Sequence, residues 1–211
     1  MQQQFIEYHH AGTVLEGFLA SPAKAGERRP AVLVSHAWAG RDDFVIDKAK
    51  ALAGLGYAAF ALDNYGKGVL GANNEENSKL IGPFMADRAL LRERLLAGLE
   101  TLRAQPGVDP DRIAIMGYCF GGLCALDLAR SGADIRGAIS FHGLLLPNGL
   151  DPRPIKARVL ALHGYADPMV PPEQVVAFGN GINDRRMLKR AKIGVAVSEA
   201  EGCYFPTQEI T

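Results

Sequence analysis

Apolar residues along this chain fall into short dense runs and longer runs at helical spacing, and the two kinds alternate. Positions 5–8 and 14–19 are short apolar-rich runs separated by His10-Ala11-Gly12, which predicts an opening β-hairpin. After a polar connection at 21–29, Pro30 leads into Ala31-Val32-Leu33-Val34-Ser35, nearly all apolar, as expected of a parallel strand buried on both faces. His36-Ala37-Trp38-Ala39-Gly40 then reads as a loop, and Asp42-Asp43 as a cap for a helix over 44–55 that ends at Gly56. Positions 57–62 predict another buried strand, 63–68 a loop and 73–79 a polar, exposed segment. The strongest helical signal covers 84–104, where Leu91, Leu95, Leu99 and Leu102 form one stripe. Arg112 to Met116 is a further short strand, 123–130 a helix, and 137–141 and 158–162 two more strands. From about Asn180 the pattern degrades into a basic run at 184–192, a weak strand candidate at 192–197 and an uncommitted end. Strands alternating with helices predict a single α/β domain over 1–211. Its central sheet is expected to be mostly parallel and flanked by helices, with an incomplete or atypical C-terminal end.

Composition narrows the function classes without choosing one. At 211 residues the chain is long enough to bury a large core, about 70% of its unfolded surface. Its 48% hydrophobic and 22% charged residues are ordinary for a globular protein. Lys plus Arg equals Asp plus Glu at 23 each, so no basic footprint points to nucleic acid or an anionic membrane. No stretch approaches the roughly 18 apolar residues of a membrane helix, and Met1-Gln2-Gln3-Gln4 does not begin a secretory signal. Cys119, Cys124 and Cys203 are odd in number and lack C-x-x-C spacing, which argues against a disulfide framework or a zinc site. A cytoplasmic, thiol-reduced protein is the expectation.

The chemistry centres on Gly117-Tyr118-Cys119-Phe120-Gly121-Gly122, placed between a predicted strand and a predicted helix. Strand, Gly-x-nucleophile-x-Gly and helix in that order is the context of the nucleophile elbow of α/β-hydrolases. The turn is sharp, so Gly117 and Gly121 stand where a side chain would strike neighbouring backbone. Cys119 would lie at the C-terminal edge of the sheet and at a helix N-terminus, where the macrodipole and free N–H groups favour thiolate. A buried structural cysteine beside a Gly-rich turn is the plain alternative. Asp167, after the strand at 158–162, occupies the chain position of the acid in this fold, although a turn or cap aspartate before Pro168 fits as well. Oxyanion donors are expected from the backbone N–H of Phe120 and of Ala37 or Trp38. The Trp38 ring reads as a hydrophobic wall.

Gly117 to Gly122, His-Ala-Trp-Ala-Gly at 36–40, Phe-His-Gly at 141–143 and His-Gly-x-x-Asp-Pro at 163–168 together resemble the dienelactone hydrolases. The resemblance runs over roughly 5–178 and leaves 180–211 as an atypical tail. It implies an α/β-hydrolase fold and hydrolysis of small-molecule esters or lactones. It also implies Cys119 and Asp167 as triad members, and chemistry that needs no metal or organic cofactor.

The departures are as informative. The family's third triad member is a histidine beyond the aspartate, yet His9, His10, His36, His142 and His163 all precede Asp167. The expected neighbourhood reads Ala196-Val197-Ser198-Glu199-Ala200-Glu201-Gly202, which contains no imidazole. Ala37 stands where the family carries a glutamate near the resting thiol. Lys79 and Arg88 are the nearest candidates for its carboxylate anchors, with a solvated surface charge as the favoured alternative for each, and Tyr118, Trp38 and His142 complete the candidate substrate contacts. His36, His142 and His163 follow or end predicted core strands, so each is a conceivable replacement base, although each resembles a structural position of the family more than a base. Three readings follow: a cysteine hydrolase, a binding module without turnover, and a hydrolase whose altered tail replaced the histidine strand and left a sheet edge unpaired.

Overall fold

The computed structural model describes residues 1–22, 27–164 and 167–170, together with the backbone of 194–199 and 202–204. The chain opens on the expected hairpin, β1 (Gln2–His10) and β2 (Thr13–Ser21), paired antiparallel from Gln2↔Ser21 to His10↔Thr13. β3 (Arg29–Ser35) then lies parallel to β4 (Ala58–Ala61) on one side and to β5 (Val108–Tyr118) on the other. β6 (Gly137–Phe141) and β7 (Arg158–Gly164) continue the parallel series, followed by β8 (Gly194–Glu199) and a short antiparallel β9 (Gly202–Tyr204). The spatial order is β1-β2-β4-β3-β5-β6-β7-β8-β9, the mostly parallel α/β-hydrolase arrangement.

Both faces of the sheet are covered, as the apolar density of β3 and β4 requires. Ala31, Leu33, Ala58, Phe60, Ile113 and Ile115 join a core that includes Leu91, Leu95, Leu99 and Leu102 of α3 (Arg88–Arg103) and most of α4 (Phe120–Arg130). The alternate positions, Val32, Val34, Ala59, Ala61 and Met116, join Val45, Ala49 and Ala53 of α1 (Asp43–Gly54) on the opposite face. Period-two side-chain alternation thus divides each strand between two helical layers. Asp42 caps α1 by accepting from Val45 N at 3.3 Å.

Two expectations need correction. The single helix over 84–104 is two: α2 (Asn74–Ala86), which starts inside the segment expected to be an exposed polar stretch, and α3. Asp87 separates them. Its backbone is extended, at φ −124° and ψ 93°, and its side chain accepts from Leu90 N at 2.9 Å, a helix N-cap. Second, β7 is not left as an unpaired edge, because β8 pairs with it from Leu160↔Gly194 to Gly164↔Ser198. The basic run at 184–192 and the end beyond 204 lie outside the described residues. Among the described residues no helix is long and apolar enough to cross a membrane.

The topology places the chemistry. The chain leaves β3 toward β4 on one side and returns to β5 on the other, so the loops after β3 and β5 open onto one crevice at the sheet's C-terminal edge. β6 and β7 end at the same edge, in register with β5.

Candidate active site

At the end of β5 the backbone turns abruptly into α4 through Cys119, whose φ of 55° and ψ of −116° lie where L-residues are seldom found. Nothing larger than glycine fits at the two positions flanking this turn. A Cβ on Gly117 would stand 2.8 Å from Gly121 Cα, and one on Gly121 would stand 2.7 Å from His36 O. The collisions expected from the Gly-x-Cys-x-Gly spacing are therefore with α4 itself and with the loop after β3. Cys119 N donates to Phe141 O at 2.9 Å, which ties the elbow to the end of β6.

The thiol is half-buried, and its pKa lies above the ordinary value. Burial is the largest cause, the Asp167 carboxylate adds to it, and the Phe120 N–H opposes both. This corrects the expectation of a helix-stabilised thiolate. The free N–H of the first turn does face the sulfur, but desolvation of the charged form outweighs it. A resting thiol in this setting needs a base.

Ala37 and Trp38 lie where the second oxyanion donor was expected. The carbonyls of this loop are engaged, Ala37 O by Gly40 N at 3.3 Å and Trp38 O by the Tyr65 hydroxyl at 2.9 Å. Among the described residues nothing accepts from the N–H of Ala37 or Trp38, and the Trp38 ring packs partly buried against the larger core. His36, beneath this loop, is fully buried with both nitrogens committed: Nδ1 meets Ala37 O at 2.6 Å and Nε2 accepts from Asn64 N at 3.1 Å. Burial holds its pKa below the usual histidine range, so it rests neutral. Its ring packs edge-on to Tyr65, centroids 4.7 Å apart, and supports the loop from below.

Asp167 follows β7 and is buried. Its Oδ1 accepts from Met169 N at 2.9 Å, and its Oδ2 faces two imidazoles. His142 Nδ1 is in ion-pair contact with that oxygen, and His163 Nε2 lies 3.2 Å from it. Neither approach follows the ring N–H direction, so Asp167 Oδ2 and His163 Nε2 are buried without an aligned hydrogen bond. The rings of His142 and His163 stack, 5.7 Å apart and 17° from parallel. Burial, more than any other influence, lowers the pKa of His163, with His142 adding to this and Asp167 opposing. The nitrogen and oxygen atoms that this trio offers lie within 4.8 Å of one another.

Not every candidate reaches this edge. Arg88, expected as a carboxylate anchor, is buried between α3 and α4, with Nε and one terminal nitrogen 2.9 and 2.6 Å from Asp127 Oδ2. Its charge is spent inside the core, so it cannot meet a substrate. Lys79 pairs with Glu75 at 2.6 Å on the outer face of α2, the solvated charge that an i,i+4 spacing produces. Tyr118 stacks on Phe141 at 4.9 Å and meets Phe44 edge-on at 5.0 Å, forming an aromatic surface beside the elbow. The sequence reading did not pair His142 with Asp167. The available signal was that 142 directly follows β6, and 167 lies close after the neighbouring β7.

Comparison with known proteins places the fold in a family. A model described as the dienelactone hydrolase family matches residues 15–193. A probable 2-oxo-3-(5-oxofuran-2-ylidene)propanoate lactonase of Bradyrhizobium sp is 34% identical over 129 residues, covering 61% of this chain and 51% of its own length. The chain spans about half the length of the curated relatives it matches, between 51% and 58%. Among solved structures, one described as m3DLH superposes with a TM-score of 0.84 at 36% identity, covering 94% of this chain and 81% of that one. A dienelactone hydrolase-like promiscuous phosphotriesterase from metagenomic libraries has the same TM-score at 30% identity, covering 98% and 91%.

Proposed function

The chain belongs to the dienelactone hydrolase family, and we propose that it hydrolyses small carboxylic esters or lactones through a thioester on Cys119. The observation that carries this reading is the strained backbone of Cys119, which holds its thiol at the C-terminal edge of a parallel sheet. Strain of this kind, about 1–3 kcal/mol, persists where surrounding structure over-determines it, and it clusters at reactive sites. The Cys119 sulfur attacks the acyl carbon. The carbonyl oxygen takes the negative charge and is held by the N–H of Phe120 and of Ala37 or Trp38. Collapse breaks the ester C–O bond, and water then hydrolyses the thioester. The relatives described as a lactonase and as a putative carboxymethylenebutenolidase support a lactone as substrate class. We read the fold as one domain, with Asp167 as the acid that orients the base and with no cofactor required.

A second reading, a homologue that binds esters without turning them over, is favoured by the lack of any histidine after Asp167. One experiment separates the two. Incubation with 4-nitrophenyl acetate, followed by intact-mass analysis, is expected to show acetyl on Cys119 and continuing release of nitrophenol. Both should disappear in Cys119→Ala, with a loss of about four or more orders of magnitude in turnover. Nitrophenol release that is unchanged in Cys119→Ala would sink the cysteine-hydrolase reading.

A further inference from the structure

The five histidines are sharply distinguished by their surroundings. His9 is exposed on β1. His10 accepts from Arg94 Nε at 3.1 Å and lies 3.6 Å from Glu93, close to the hairpin turn. His36 has no free nitrogen. His163 leaves 2% of its side chain exposed, and burial keeps it neutral. His142 differs from all of these. Its side chain is 54% exposed, its Nδ1 meets the buried Asp167 carboxylate, and its Nε2 has no partner among the described residues.

His142 is also placed by the same device as Cys119. Three non-glycine residues among those described have positive φ: Ala11 at the hairpin turn, Cys119 at 55° and His142 at 54°. The last two stand on adjacent strands at one edge, because Tyr118 pairs with Phe141 in the β5–β6 register. Phe141 O accepts from Cys119 N at 2.9 Å, and His142 N donates to Leu162 O at 2.8 Å. The strained turn after β6 is thereby pinned both to the elbow and to β7, the strand that leads to Asp167.

We propose that His142 is the general base of this chain, oriented by Asp167 through Nδ1 and presenting Nε2 to the Cys119 side of the crevice. This rests on the cysteine-hydrolase reading above and adds to it the group that the sequence lacks after Asp167. A carboxylate beside Nδ1 would, once aligned with its N–H, fix the tautomer that leaves Nε2 free to take a proton, the division of labour in a nucleophile–histidine–acid triad. The ionisable groups that face His142 are Asp167 from the loop after β7 and His163 stacked on its ring; Cys119 stands on the adjacent strand end, and the proposal sets its thiol within reach of Nε2. Nε2 takes the thiol proton as the S–C bond forms and gives it to the leaving oxygen as the C–O bond breaks. It then takes a proton from the attacking water, and the sulfur regains one when the C–S bond breaks. The thiol, held protonated by burial, requires this partner.

The test uses the full chain with 4-nitrophenyl acetate, following steady turnover, its pH profile and the acetyl content of Cys119. His142→Gln is expected to lower steady turnover by about 10²–10⁴-fold and to abolish the loss of kcat/KM toward acid that protonation of the base produces. Acylation and deacylation of Cys119 should both slow in the variant. Retention of turnover within threefold, with the same acid limb, would overturn the proposal. So would a wild-type protein that acetylates Cys119 once and never turns over. Turnover that survives unchanged in Cys119→Ala would instead overturn the nucleophile assignment. An independent measurement covers misfolding of the variant: diethyl pyrocarbonate on the wild-type protein, with modified histidines mapped by mass spectrometry. Turnover should fall in step with modification of His142, and full modification with turnover intact would overturn the proposal.

Discussion

Asp127, between α3 and α4, is reached by Arg88 Nε and a terminal nitrogen at 2.9 and 2.6 Å and by an Arg130 nitrogen at 3.1 Å. Asp167, at the sheet edge, is nearly as buried but faces two imidazoles, and one of its oxygens has no aligned hydrogen bond. The first carboxylate is neutralised and bonded on both oxygens, as a buried charge must be if it is only to hold helices together. The second keeps unspent capacity that a protonated imidazole would fill. Such a group costs stability in the resting protein and gains its partner when a neighbouring histidine becomes charged. On the proposed reading, the difference between the two sites is that between a carboxylate that holds helices together and one that serves a reaction.

Exchanging each charge for an amide is the most direct way to break this comparison. Asp167→Asn is expected to lower kcat/KM by about 10³–10⁴-fold through loss of the orienting carboxylate, and to leave Tm unchanged or slightly raised. Asp127→Asn should do the reverse. Leaving Arg88 uncompensated in the core costs about 3–5 kcal/mol. That corresponds to a fall in Tm of roughly 6–20 °C for a chain of this size, with kcat retained in the folded fraction. Calorimetry and ester-hydrolysis kinetics on both variants check the pair. Equal effects of the two changes on stability would erase the distinction.

A smaller effect follows from the buried histidines near the sheet edge. His36 and His163 are both held below their ordinary pKa by burial, so the unfolded chain binds protons that the folded chain does not. Stability from this source is fully present above about pH 6.5 and is lost as pH falls below it, by up to about 1.4 kcal/mol per pH unit for each group. Thermal melts from pH 8 to pH 5 should therefore show a falling Tm, with a shallower slope in His163→Gln. A third aspartate, Asp87, sets the lower end of the scale. It is an exposed helix cap, and Asp87→Ala should cost about 1 kcal/mol, a Tm change of about 2–4 °C, with no change in kcat.

Some elements were legible before any coordinates, and the physical reason differs for each. β3 was clear because a strand buried on both faces has almost no polar positions, and α3 because its leucines repeat at helical spacing. The elbow was clear because two glycines flank a nucleophile between a strand and a helix. The break at Asp87 was missed because apolar residues continue across it, and only its capping side chain marks the end of one helix and the start of the next. Arg88 was misread for a related reason. An arginine on a helix looks the same in sequence whether it faces solvent or an aspartate contributed by another helix.

The sequence by itself determined the layered α/β architecture, the position of Cys119 in its turn and the lack of a histidine after Asp167, because these depend on local spacing and composition. Tertiary structure alone decided which histidine meets the acid. His142 and Asp167 are 25 positions apart by their numbers, and they converge because β6 and β7 run parallel, in register, to the same edge. It also decided the state of the thiol. The helix N-terminus visible in the sequence favours thiolate, whereas burial, which depends on everything packed around the elbow, opposes it more strongly.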